Sequence, residues 1–150
     1  MKKAFFPLLC IVLLVSCKSS DDKIEKMADR ACDCFGLVTK DMSADTKSLM
    51  IKVSSESDPQ TAMKNALEVL PDDKKMAVAT DLMKLSQLQD ATSEVGKCVK
   101  KMDEEYKVMK NEKKDAMERM IKQMEAKKGC ETSAAIAKIG LAQQVKTGAF

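Results

Sequence analysis

Histidine and tryptophan are absent from the 150 residues, and the chain holds only one tyrosine, four phenylalanines, three prolines and five glycines. Without imidazole there is no Ser-His-Asp triad, no Cys-His nucleophile pair, no His-bearing zinc or non-haem iron site and no His-ligated haem. No Gly-rich phosphate loop and no nucleophile motif appears either, so the sequence is read as non-enzymatic and without a cofactor. Aromatics beyond the N-terminal segment are limited to Phe35, Tyr106 and Phe150, so any core must be built from leucine, alanine and the twelve methionines. Charge is plentiful but balanced. Lys plus Arg is 26 against 23 for Asp plus Glu, a formal +3 that includes Lys2 and Lys3. Nucleic acid is not expected as a partner, because phosphate binding needs a concentrated basic surface. The remaining feature is six cysteines.

The first residues supply an address. Met1-Lys2-Lys3 is a positive n-region, and the apolar stretch from Ala4 to Val15 would span about 18 Å as a helix, well short of the ~30 Å hydrocarbon core. It reads as a signal-peptide h-region and not a membrane span. Leu14-Val15-Ser16-Cys17 then resembles the lipobox of bacterial lipoproteins. That resemblance implies cleavage before Cys17, which is diacylated and then acylated again on its new amino group. Several acyl chains hold a domain at a bilayer far better than one. It also implies a bounded organisation: residues 1–16 as signal peptide, 17–22 as a lipidated tether and 23–150 as one domain. Lys18, in place of Asp, implies sorting to the outer membrane. The run Lys18-Ser19-Ser20-Asp21-Asp22 is similar to tethers of surface-exported lipoproteins, though a plain solvated linker on the periplasmic face fits it as well. The expected partners are the membrane, through the lipid, and an envelope protein. Cys10 is discarded with the h-region.

Beyond the tether, apolar residues recur at spacings of three and four, and no segment has the alternation of a strand. The fold class expected is all-α, a bundle of five or six short helices. Ile24, Met27, Ala28, Ala31, Phe35 and Val38 form the stripe of the first. Ser43 caps a short second helix through Val53. Asp58-Pro59 and Pro71-Asp72 are helix starts. Their expected buried faces are Ala62, Met63, Ala66, Leu67 and Leu70, then Met76, Ala79, Leu82, Met83 and Leu85. Lys127-Lys128-Gly129 is a helix stop, and the last helix would bury Ala135, Ile136, Ile139, Ala142 and Val145. Between them, Val95, Val99, Met102, Tyr106, Met109, Ala116 and Met120 trace a seam that only Lys113 interrupts.

The cysteines decide whether that seam is one helix. Cys32, Cys34, Cys98 and Cys130 are even in number in an exported chain, so two disulfides are the expectation. Cys32 and Cys34 lie about 200° apart around a helix, which disfavours a direct bond and sends each to a different neighbour. A straight helix from Cys98 to Lys128 would separate its ends by about 45 Å, whereas a bridge spans less than ~7 Å between α-carbons. The chain must therefore double back as an antiparallel helical hairpin, with its turn near Asn111, where the stripe fails. Which of Cys32 and Cys34 takes Cys98 and which takes Cys130 stays open at this point.

Three other patterns carry weaker chemistry. Cys32-Asp33-Cys34 has neither the spacing nor the preceding strand of a thioredoxin-like centre. Met117, Met120 and Met124 share a helical face and are the residues a Cu(I)-handling alternative would use, but methionine at that spacing is also ordinary core filling. Asp103, Glu104 and Glu105 are consecutive and so spread around a helix rather than converge. The lysines from Lys107 to Lys114 are interleaved with acids, a pattern of local ion pairs with a headgroup contact as the alternative.

Overall fold

The computed structural model describes residues 15–105 and 113–148, with side chains from 21–105 and 114–148. Seven α-helices follow one another: α1 Val15–Thr39, α2 Ala44–Ser54, α3 Pro59–Val69, α4 Asp72–Lys84, α5 Glu94–Glu105, α6 Lys113–Glu125 and α7 Glu131–Lys146. A 3₁₀ turn over Leu85–Leu88 tightens the end of α4. The described residues contain no strand, and their seven α-helices are one more than the upper end of the expected five or six. Starts follow the local chemistry. The Ser43 hydroxyl accepts the Thr46 amide, and the Asp58 carboxylate accepts the Thr61 amide with Pro59 in the first turn. Both satisfy donors that have no partner within the helix. Gly129 adopts φ 87°, the left-handed turn that lets the chain leave α6 and enter α7 at once.

The core forms where small residues let helices approach. On α1, Ile24, Ala28 and Ala31 are almost fully buried. They meet Ala116, Met120, Ile121 and Met124 of α6 and Ala134, Ala137 and Leu141 of α7. Val38, Met42 and Val95 make a second cluster with Leu85, Leu88 and Val99. Met50, Ala135 and Ile136 make a third, on the side of α2. Helix α7 is central, packed by α1, α2, α3 and α6. That is why its first turns are buried nearly all round, at Ser133 through Ala137, while Val145 at its far end stays 47% exposed against the expected burial.

Residues 17–22, expected as a linker, lie within α1. The reversal required between Cys98 and Cys130 is present. Val95 sits beside Val38 and Met42, while Cys98 is bonded to Cys34, so α5 runs antiparallel to α1. In contrast, α6 and the turn that follows it run parallel to α1, joined to it by Asp21–Arg119 on α6 and by Asp29–Lys127 and Cys32–Cys130 just beyond, each pair 98 positions apart. The two arms of the hairpin pack on α1 more than on each other. Its turn, placed at Asn111 by the sequence, lies outside the described residues.

One helix face is rotated from expectation. Met76 and Met83 of α4 are each 75% exposed, and Ala79 is exposed too. The buried face instead runs Val78, Asp81, Leu82 and Leu85, the first two nearly inaccessible and the others half-buried. This face has the spacing i, i+3, i+4, i+7 of a packed helix, with a carboxylate at one of its core positions.

Candidate functional site

Cys17 falls in the first turn of α1, two residues from its start at Val15. The other four cysteines are paired. Cys32 bonds Cys130 with α-carbons 5.6 Å apart, and Cys34 bonds Cys98 at 5.5 Å. This settles the pairing that the sequence left open, and it spends both members of Cys32-Asp33-Cys34 on different helices. Cys34 and Cys130 are fully buried.

Met120 and Met124 point into the main core beside Ile24, Met27 and Ala28, and Met117 packs partly against the same cluster. Among the described residues no group of three or more His, Cys, Asp or Glu side chains is placed to hold a metal ion. Asp103, Glu104 and Glu105 are all exposed on α5. Of the lysine-rich run, only Lys114 has a described side chain, and it pairs with Glu118 one turn away at 3.7 Å. No helix of the described residues is long and apolar enough to cross a membrane.

A polar cluster that sequence reasoning missed joins α4 to the start of α2. Asp81, 5% exposed, accepts the Ser43 amide at 2.8 Å and the Thr46 hydroxyl at 2.8 Å on one carboxylate oxygen. Its other oxygen accepts Lys84 Nζ at 2.7 Å, and the same ammonium reaches the carbonyl of Asp41 at 3.0 Å. Burial alone would push the Asp81 carboxyl up. The hydrogen bonds from Lys84, the Ser43 amide and Thr46 outweigh it and hold the group well below the ordinary carboxylate range. The signal available was spacing: Asp81 continues the stripe Val78, Leu82, Leu85.

A groove of about 770 Å³ lies between α6 and α7, closed on one side by Ser57 to Gln60. Ile121, Ile139, Leu141 and Ala142 line it, with Val145 and Pro59 near one end. Its rim carries three ion pairs: Lys138–Glu125 at 3.0 Å, Lys146–Asp58 at 3.4 Å and Lys114–Glu118 at 3.7 Å. The Thr61 hydroxyl and amide, which hydrogen-bond Asp58, hold that carboxyl below its usual value, with Lys146 adding to the effect. Lys122 also lines the groove and has no acidic partner among the described residues. A second, shallower hollow, about 620 Å³, lies over the Asp81 cluster, bounded by Lys40, Asp73 and Met76. Comparison with family models, curated proteins and solved structures returns no match.

Proposed function

We propose that this is a lipid-anchored protein of the bacterial outer membrane whose helical bundle binds or braces a partner and does not catalyse a reaction. The observation that carries the reading is the single cysteine left over. Of the six cysteines, Cys10 falls in the h-region and Cys32, Cys34, Cys98 and Cys130 bond to one another, which leaves Cys17, the residue that ends the lipobox-like Leu14-Val15-Ser16-Cys17. Two bridges closing long loops also suit an oxidising compartment. The binding half of the reading is supported by the groove floored by Ile121, Ile139, Leu141 and Ala142, a concavity of the size and lining that takes a ligand.

The test is metabolic labelling with an alkyne fatty acid followed by intact mass measurement and membrane fractionation. Label on the wild-type chain at Cys17, with loss of label and of membrane retention in Cys17→Ala, supports the reading. A soluble wild-type protein with an unmodified Cys17 would sink it.

A further inference from the structure

We propose that the groove between α6 and α7 takes the chain of a long-chain fatty acid, with Lys122 supplying the countercharge for the carboxylate. The proposal deepens the binding role above and rests on the lipoprotein reading for one point only, the position of the groove relative to the bilayer.

Size and lining come first. About 770 Å³ lies within the ~300–1,000 Å³ of typical small-molecule sites, and the floor of Ile121, Ile139, Leu141 and Ala142 offers a ligand no hydrogen-bonding side chain. Val145 remains 47% exposed at one end, so the protein's own packing leaves apolar surface that a hydrocarbon chain would cover.

Charge narrows the class. Four lysines and three acids line the groove, and three of those lysines are held in ion pairs with the three acids. Lys122 alone has no acidic partner among the described residues. The groove therefore complements one negative charge on an otherwise apolar molecule. A zwitterionic headgroup or a dianion would have to break an existing pair.

Position gives the source. Arg119 of α6 pairs with Asp21 of α1, and just past the end of α6 Lys127 and Cys130 pair with Asp29 and Cys32, so α6 ascends beside α1 from its N-terminal turns. Lys114 and Glu118 precede Arg119 on α6, so the end of the groove they line lies toward the N-terminal turns of α1, the end that carries Cys17. A lipidated Cys17 puts that end at the bilayer surface, where free fatty acids partition.

The experiment uses the lipidated protein in phosphatidylcholine vesicles containing a diazirine fatty acid, with irradiation and peptide mapping of the adducts. Adducts are expected to concentrate on the α6 and α7 peptides bearing Ile121 and Val145. Unlabelled fatty acids should compete, with potency rising up to about fourfold per added methylene until the groove is filled. Lys122→Glu should weaken labelling about fivefold. Val145→Glu, at a half-exposed position and checked for unchanged melting, should abolish the groove adducts. Adducts scattered over the surface, competition indifferent to chain length, or labelling that survives Val145→Glu would each overturn the proposal. The intact mass of the same sample reports acylation of Cys17. An unacylated protein that still labels in the groove keeps the site and removes only the anchor.

Discussion

Asp81 and Thr46 are 35 residues apart in sequence, yet the Thr46 hydroxyl donates to the Asp81 carboxylate at 2.8 Å, with Thr46 fully buried. The carboxylate also takes the Ser43 amide. A residue of α4 therefore caps the N-terminus of α2. Asp81→Ala removes the acceptor for three donors, and a buried donor left unpaired costs ~1–3 kcal/mol. We expect a loss of about 2–4 kcal/mol by urea denaturation at pH 7.

The same carboxylate gives a pH signature. Its folded pKa is depressed below the unfolded value of 3.8. Its contribution is therefore complete above the unfolded pKa and is lost as pH falls through that value toward the folded one. Wild type should lose stability on acidification from pH 5 to 3. Asp81→Asn should start lower and show a shallower acid limb. Parallel acid limbs in the two proteins would contradict the assignment.

Packing predictions separate the two methionine environments. Met124→Ala, at a fully buried core position, should cost ~2–5 kcal/mol. Met76→Ser and Met83→Ser lie on the exposed face of α4 and should stay within ~0.5 kcal/mol of wild type. Thermal melts of the three variants decide whether the helix is oriented as described.

Glycine substitutions should diverge in sign. An added Cβ at Gly96 would stand 1.9 Å from the Asp90 carbonyl oxygen, against backbone that cannot step aside. Gly96→Ala should cost ~1–3 kcal/mol. At Gly36, inside α1, a Cβ meets nothing within 4 Å, and Gly36→Ala should stabilise by ~0.5–1 kcal/mol.

The disulfides can be counted directly. Thiol titration of the denatured, unreduced protein should find none at Cys32, Cys34, Cys98 or Cys130. Bridges at separations of 98 and 64 residues each contribute about 4 kcal/mol in the chain-entropy account. Reduction should lower the melting temperature by more than any single core substitution above.

Much of this architecture was legible because its signals are local. The stripe Ile24, Ala28, Ala31, the Asp58-Pro59 start and the Gly129 stop each depend on a few neighbouring residues. The doubling back between Cys98 and Cys130 was legible because covalent reach sets a hard limit. The orientation of α4 was not, since Met76 and Met83 outrank Asp81 on any hydropathy count. Only the arrival of Ser43 and Thr46 from another helix makes the carboxylate an interior residue. The groove was hidden for the same reason: Ile121, Pro59 and Val145 come from three elements whose meeting no local pattern encodes.

The parallel register of α1 and α6 also has a mechanical meaning. A load applied at position 17 and drawn along α1 would be resisted in shear, by Asp21–Arg119, Asp29–Lys127 and Cys32–Cys130 together rather than in succession. Even if the first turns were pulled straight, only the residues before Cys32 could pay out, about 50 Å of extended chain. Beyond that length the force would meet two covalent stops, Cys32–Cys130 and Cys34–Cys98, which carry it into α5 and α7 as well as α1.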